Sequence, residues 1–429
     1  MKTEVVLNGK ADPAANYIGW SPRPATVRLS DATGATAPVK VMLRNRSTST
    51  GGQVVFSTSA TGSFTDTLRL TLPVDKSPVK FFAAGNAQKP ASKNDKDASI
   101  EVVVDGTSTV LSQTALMVRV RKNAAGLSTG ERDRFIGALA IFNAKGMGKF
   151  KDIRAMHVDG RPLEESHGAR PPFNRHGFLP WHRAYLLDLE RELQVIDASV
   201  ALHYWRFDEP GPSLFTADFL GEPRSSGSVR FASTNPLKDW ISDGTVGFRR
   251  VPRFDITKSA GDSNGPVISE VATLAIGTTY NKFVLMEGEP HGHAHTSWDG
   301  PVNFPPTAPN DPLFFMLHCN VDRLWAKWQF ANKLWNQTAV AAYFFQGSAG
   351  TSGATRIGHN RLDTMWPWNG DTKSPRPSSA PSSGSTPGMP PSIIASAPPQ
   401  KPTVGDMIDY QGHVTAGLWQ GFDYDDVMF

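Results

Sequence analysis

The sequence predicts an all-β, sandwich-like domain over residues 1–115, followed by a mainly α-helical bundle over residues 116–370. Short β-branched runs separated by polar turns characterise the first part, for example TLRLTL at 67–72 and IEVVV at 100–104. From Leu127 onward, apolar residues recur every three or four positions instead, which is the spacing of a helix that buries one face. This change of period predicts two domains of different class.

Capping signals mark three helix starts in the second domain. Ser128 followed by Glu131 has the pattern of a capping box. A second helix is predicted to start near Pro180, because proline is favoured in the first turn. A third is predicted from Asp311 as an N-cap, with Pro312 at the first helical position.

The C-terminal part has a different composition. Residues 371–403 are rich in proline and serine, which predicts a flexible strap or lid. Residues 404–429 contain Trp419 and Phe422 and are predicted to dock back on the core of the bundle. The whole region 371–429 has two interpretations, a lid over a functional site or a wrap around the bundle.

Composition and charge exclude several classes of protein. The net charge is +4 and the pI about 9.0, with scattered lysines and arginines, which indicates a solvated surface rather than a nucleic-acid site. No apolar run approaches the roughly 18–20 residues of a membrane helix. The start MKTEVVLNGK lacks the apolar stretch of a secretory signal, and the single Cys319 excludes an intrachain disulfide. We therefore expect a cytoplasmic location without a membrane partner, and export by another route stays open.

The placement of the histidines is the main functional signal. His182 and His318 each lie on the apolar stripe of a predicted helix, and His291 and His295 lie on one side of a helical turn, with His293 pointing away. A lone buried histidine is more often a satisfied core residue than a ligand. Several inward-facing imidazoles on separate helices indicate a metal site, although imidazole suits zinc, copper, iron and nickel alike.

Longer motifs around these histidines resemble the tyrosinase family, which includes tyrosinases, catechol oxidases and molluscan hemocyanins. FLPWHRAYLLDLERELQ (178–194) resembles the first copper motif of the family, and NDPLFFMLHCNVDRLWAKW (310–328) resembles the second. YWRFDEP (204–210) and DTMWPWNG (363–370) are similar to segments that flank the family's copper helices. The resemblance is to the bacterial type of tyrosinase, and it implies a four-helix bundle that holds a dicopper centre.

The resemblance also implies that six histidines hold the two copper ions, three to each. The predicted set is His157, His176 and His182 for copper A, and His291, His295 and His318 for copper B. Phe173 occupies the position at which the family usually carries the middle ligand of copper A. We favour His176 for this role because it lies nearer to that position and enters the helix directly, and His167 is the alternative.

Further residues are expected around these ligands. Asp322, one helical turn after the last ligand, is expected to orient an imidazole or to brace an arginine such as Arg323. Gly292 stands where many tyrosinases carry an asparagine that is thought to help deprotonate the phenol. Glu209 and Glu222 are therefore candidate bases.

The resemblance implies an oxidoreductase that uses O2 to oxidise phenols and catechols to o-quinones, the precursors of melanin, through a peroxide bound side-on between the coppers. Oxidation of o-diphenols is the firmer expectation, and because of Gly292 either another group assists the deprotonation of a monophenol or the monophenol monooxygenase activity is weak. Hemocyanin-like reversible O2 binding without turnover is the alternative. A dinuclear zinc hydrolase is less consistent with the motifs, which place no carboxylate at a ligand position. The expected partners are O2 and a small phenol or catechol, whereas a homo-oligomer and a copper-delivery protein stay open.

Overall fold

The computed structural model describes residues 1–144, 149–160, 177–339, 361–374, 376–382, 387–415 and 417–429. Contacts divide the chain into two compact units. The first contains Met1–Arg121, Ser392–Ala397 and Tyr410–Phe429, and the second contains Lys122–Pro391 and Pro398–Asp409. Within the described ranges, no helix is both long enough and apolar enough to cross a membrane.

The first unit is built from strands that form two sheets. Their bounds are β1 Lys2–Leu7, β2 Tyr17–Ile18, β3 Arg23–Asp31, β4 Val39–Asn45, β5 Val54–Ser57, β6 Thr67–Leu72, β7 Val79–Gly85, β8 Ala98–Val104 and β9 Val110–Val118. One sheet has the order β1-β3-β7-β5 and the other β2-β9-β8-β4-β6. All pairs are antiparallel except β2 with β9.

Both sheets contribute to one hydrophobic core. Val27 of β3 and Phe81 of β7 belong to the same buried cluster as Leu43 of β4 and Val102 of β8. In β3, buried and exposed side chains alternate, as expected for a strand with one face on the core. The prediction of an all-β N-terminal unit is confirmed, and the last strand continues to Val118, beyond the predicted boundary at residue 115.

The second unit carries the helices. Their bounds are α1 Thr129–Ala144, α2 Lys149–Gly160, α3 Phe178–Ile196, α4 Glu270–Leu274, α5 Tyr280–Phe283, α6 His293–Thr296 and α7 Leu313–Asn332, with the short turns Val284–Glu287 and Gly288–Gly292 between α5 and α6. Three small two-stranded pairs lie between the helices: β10 Ile241–Ser242 with β11 Thr245–Val246, β12 Val251–Pro252 with β15 Trp298–Asp299, and β13 Gly261–Asp262 with β14 Gly265–Pro266. The mainly helical character of this unit agrees with the prediction.

The helix starts follow the predicted chemistry closely. Ser128 and Glu131 form a capping box, because the Glu131 carboxylate accepts from the Ser128 backbone N–H at 3.0 Å and Ser128 Oγ accepts from the Glu131 N–H at 3.4 Å. The Asp311 carboxylate accepts from the Leu313 N–H at 2.9 Å, as an N-cap does. The second predicted helix begins at Phe178, two residues before Pro180.

The C-terminal segment differs from the expectation that residues 404–429 dock as a whole on the helical core. Tyr410–Phe429 belong to the first unit instead. The buried carboxylate of Asp423 accepts from the Trp20 backbone N–H at 2.9 Å, and the guanidinium of Arg121 lies 3.7 Å from the ring centroid of Phe422. These contacts link positions far apart in sequence, so local patterns do not reveal them.

Candidate metal centre

Five predicted ligand histidines come together from separate elements of the second unit. They are His157 on α2, His182 on α3, His291 in the turn Gly288–Gly292, His295 on α6 and His318 on α7. These residues form two groups that share His318, and the ligand atoms of each group lie within 4.8 Å of one another. The groups are His157, His182 and His318, and His291, His295 and His318. The helices therefore bring both halves of the predicted site to one place.

The second group is the tighter one. The Nε2 atoms of His291 and His295 are 3.1 Å apart, those of His295 and His318 are 3.2 Å apart, and those of His291 and His318 are 3.4 Å apart. His291 and His318 are buried, and His295 is partly buried. Three ring nitrogens thus converge on one point away from bulk water.

Backbone carbonyls hold several of these rings by their other nitrogen. The Nδ1–H of His182 donates to the Phe178 carbonyl oxygen at 2.8 Å, and that of His291 donates to the Glu287 carbonyl oxygen at 2.7 Å. The Nδ1–H of His295 donates to the Val302 carbonyl oxygen at 2.5 Å. A carbonyl oxygen can only accept, so the proton of each neutral ring resides on Nδ1 and the lone pair on Nε2. This is the tautomer and orientation that metal-bound histidines usually have.

The arrangement suits a metal ion. The lone pairs of His291 and His295 face each other at 3.1 Å without a proton to share, which is repulsive unless a cation lies between them. Nitrogen ligands about 2.0–2.1 Å from a tetrahedral ion lie roughly 3.3 Å apart, close to the separations observed. Burial lowers the pKa of His182 to about 3 and that of His295 to about 4, so both rings are neutral at pH 7. Neutral imidazole is the form that binds metals.

The first group, His157, His182 and His318, lies where the other copper ion is predicted. The rings of His182 and His318 stack with centroids 4.4 Å apart and an interplanar angle of 10°, and the centroid of His157 lies 5.8 Å from that of His182. Burial lowers the pKa of His318 well below its ordinary value. The middle ligand of copper A, predicted as His176 with His167 as the alternative, lies outside the described residues and stays a prediction.

Two phenylalanines enclose the histidines. The ring of Phe178 lies 4.6 Å from that of His182 and 4.8 Å from that of His291, between centroids. The ring of Phe314 lies 4.7 Å from that of His157 and 4.4 Å from that of His318. Both phenylalanines are fully buried, so apolar surface replaces water beside the imidazoles. Each phenylalanine lies four residues before a predicted ligand histidine of its copper motif, and this spacing was the signal in the sequence that could have identified it.

Asp322 contacts an arginine that the sequence analysis did not single out. Its carboxylate lies 2.6 Å from Nε of Arg183, and both side chains are buried. Arg183 follows His182 on α3 and stacks on Trp325 at 3.7 Å, whereas Arg323 pairs with Glu270 at 2.7 Å. The pair therefore joins the helix of one copper motif to that of the other.

The two candidate bases lie in polar, exposed surroundings. Glu209 is 46% exposed and pairs with Arg206 at 2.8 Å. Glu222 is 45% exposed and pairs with Arg230. Gly292 lies beside His291, and a Cβ there would be 3.3 Å from the carbonyl oxygen of Glu287. An ion-paired, exposed carboxylate is a weak candidate for accepting a proton inside a buried site.

Two further histidines, His203 and His293, do not belong to the two groups found among the described residues. His203 is buried, and its Nδ1 accepts from the Lys122 backbone N–H at 3.3 Å. His293 lies between Glu289 and Asp262, with its Nδ1 2.9 Å from a Glu289 oxygen and its Nε2 3.2 Å from an Asp262 oxygen.

The helices bring buried imidazoles together in two adjoining groups. This arrangement is that of a dinuclear metal protein with nitrogen ligands. The family model for the common central domain of tyrosinase matches residues 147–331. The tyrosinase of Streptomyces antibioticus is 31% identical over 275 residues, which cover 59% of this chain and 94% of that protein. The tyrosinase of Streptomyces glaucescens is 32% identical over 49% of this chain and 82% of that protein. A functional unit of octopus hemocyanin has a TM-score of 0.45 and 19% identity, covering 73% of this chain and 69% of that chain.

This chain belongs to the tyrosinase family. It is accordingly an oxidoreductase of the polyphenol oxidase type, which binds two copper ions and oxidises phenolic substrates with O2. The prediction from the copper motifs is confirmed at this level.

Proposed function

We propose that the chain oxidises catechols to o-quinones at a dicopper centre, with weaker activity on monophenols. His291, His295 and His318 would hold one copper ion, and His157, His182 and a loop histidine, His176 or His167, the other. The convergence of three Nε2 atoms within 3.4 Å is the observation that carries this assignment. Copper bound there supplies the transfer of electrons to O2 and activates it.

The protein's own contribution is to fix the ligands and to exclude water. The Nδ1 bonds to backbone carbonyls hold the rings of His182 and His291 in the metal-binding tautomer. Phe178 and Phe314 remove water from the ring edges, which strengthens electrostatic interactions in the site. An apolar wall of this kind also suits the flat ring of a phenol.

The preference for catechols follows from the surroundings of Gly292. A monophenol must lose its single hydroxyl proton, and glycine offers no side chain to assist. Glu209 and Glu222 are each engaged by an arginine at the surface, which does not support them as bases. A catechol depends less on such assistance, because the proton of its second hydroxyl can be shared with the oxygen of the first by a hydrogen bond once the first is deprotonated.

The decisive experiment measures copper content with turnover of a catechol and of its matching monophenol. We expect two coppers per chain and faster catechol oxidation. His295→Ala should remove one copper and abolish turnover, whereas His203→Gln, at a buried histidine outside both groups, should keep both. Reversible O2 binding without turnover would support the hemocyanin-like alternative, and zinc with hydrolytic activity would contradict the copper assignment.

The middle ligand of copper A needs its own comparison. Because one of the two loop histidines is the ligand, His176→Ala and His167→Ala should differ in the copper they retain. We expect the first variant to bind a single copper ion and the second to bind two. The reverse result would assign the role to His167.

Further features of the fold and its setting are part of the proposal. We propose that the two N-terminal sheets form a sandwich, supported by their shared core, and that α1, α2, α3 and α7 form the four-helix bundle. The strap is proposed to wrap rather than to cover the site, because Met389 is buried and Arg191 donates to the Pro390 carbonyl at 2.6 Å. We also propose a homo-oligomer, which light scattering tests, and a copper-delivery partner, which a copper-transfer assay tests. The proposed cytoplasmic location is tested by cell fractionation.

A further inference from the structure

The segment that carries two of the proposed copper ligands has little regular structure of its own. His291 lies in the turn Gly288–Gly292, and His295 lies in the four-residue helix α6. Glu289, within that turn, has φ −139° and ψ 117°, which is outside the helical region. Helices this short are not stable by themselves, so contacts from elsewhere must hold the two histidines in register.

His293 provides such contacts on the side facing away from the ligands. Its Nδ1 lies 2.9 Å from a Glu289 carboxylate oxygen and its Nε2 lies 3.2 Å from an Asp262 carboxylate oxygen. Glu289 belongs to the turn itself, whereas Asp262 lies on β13. We name the set His293, Glu289 and Asp262 the imidazole brace.

The brace joins the ligand segment to the hairpin formed by β13 and β14. Besides contacting His293, the Asp262 carboxylate accepts from Thr296 Oγ1 at 3.0 Å, one residue after the ligand His295. At the other end, the Glu289 carboxylate accepts from the Ile268 backbone N–H at 3.0 Å, just beyond β14. The hairpin therefore contacts the segment before, between and after its two ligands.

Burial distinguishes the brace from an ordinary surface ion pair. The side chain of His293 is 13% exposed and that of Asp262 is 10% exposed, whereas Glu289 is 41% exposed. Exposed pairs contribute little because water competes for both partners. The side chains of His293 and Asp262 pack against each other largely shielded from water, and Asp262 also accepts from Thr296 Oγ1, so the two contacts together can fix a position.

We propose that the imidazole brace is a positioning device for copper B, which holds His291 and His295 at their ligand separation before the metal binds. This inference rests on the proposed assignment of these two histidines as ligands. None of the three brace residues belongs to the two histidine groups found among the described residues. Removing support behind metal ligands typically lowers metal affinity by about 10- to 100-fold, and we expect an effect of this size at copper B alone.

The test compares Asp262→Ala and His293→Leu with the wild type by two measurements. Hydrogen exchange of the amides of residues 288–296 in the metal-free chain should become faster. Competition with a copper chelator should show a roughly 10- to 100-fold weaker second copper and an unchanged first copper. His293→Gln, which keeps a polar side chain of similar reach beside Glu289 and Asp262, should restore most of the affinity.

Asp299→Asn is the matched control, because it removes a carboxylate from an exposed pair with Arg249, three residues after α6. It should leave both measurements unchanged. Wild-type exchange rates and copper affinities in Asp262→Ala and His293→Leu would overturn the proposal, and so would equal weakening of both coppers, which indicates general destabilisation. A wild-type chain that binds no copper would instead contradict the proposed function, while the exchange measurement would still test the brace.

Discussion

Asp322→Asn should destabilise the helical unit strongly, because it removes the charge that compensates Arg183. Neither side chain reaches water, since Arg183 is 0% exposed and Asp322 is 1% exposed. Breaking a buried ion pair by removing one partner typically costs about 3–5 kcal/mol. Arg183 keeps the carbonyls of Gln329 at 3.0 Å and Met407 at 2.7 Å as acceptors and stacks on Trp325, so we expect the lower end, about 3 kcal/mol.

The assay is urea unfolding of the metal-free protein, followed by the fluorescence of its 11 tryptophans, among them Trp325, which stacks on Arg183. Asp299→Asn removes the same group from a pair that is 51% and 47% exposed and should cost less than about 1 kcal/mol. The double variant Arg183→Met with Asp322→Leu should recover most of the loss, since apolar residues can replace a buried pair. If Asp322→Asn and Asp299→Asn lose the same free energy, burial does not control the contribution of the Asp322 pair.

Three further predictions concern other parts of the chain. Gly292→Asn should raise monophenol turnover relative to catechol turnover several-fold. The new Cβ would lie 3.3 Å from the Glu287 carbonyl oxygen, a contact that a small shift relieves. An unchanged ratio of the two turnovers in a copper-loaded variant contradicts this. His203 has a folded pKa lowered to about 3 by burial, below its unfolded value of about 6.5. The stabilisation that neutral His203 contributes is therefore complete above pH 6.5 and is lost as the pH falls towards 3. Between pH 7 and about 4.5, His203→Gln should lose less free energy of unfolding than the wild type loses. Equal losses in the two proteins would refute this. Asp423→Ala leaves the N–H groups of Trp20 and Ser21 without this acceptor and should lower the free energy of unfolding by at least about 2 kcal/mol. It should also make the C-terminal segment sensitive to protease. Protection like that of the wild type would count against the role of Asp423.

The metal site was predictable to the extent that local patterns place side chains on one face of an element. His182 and His318 lie on regular helices that are buried on all sides around them, and the spacing of His291 and His295 places both on one side of a turn. In each case only a few neighbouring residues decide the direction of the side chain. The capping box at Ser128 was predictable for the same reason, because its partners are three residues apart.

Contacts between distant residues were not predictable in this way. The pairing of Asp322 with Arg183, which local spacing does not indicate, depends on how α3 packs on α7. Local spacing carries no information about which of several charged residues will meet after packing.

The sequence by itself determined the class of this protein: an all-β unit, a helical unit, and histidines at the spacing of two copper motifs. Periodicity and motif length determine these features because both depend on short stretches of chain. Only the tertiary structure decided that His318 belongs to both histidine groups, that His293 braces its neighbours through Asp262, and that Tyr410–Phe429 complete the first unit. Each of these depends on burial and contact between remote segments, which arise only when the whole chain packs.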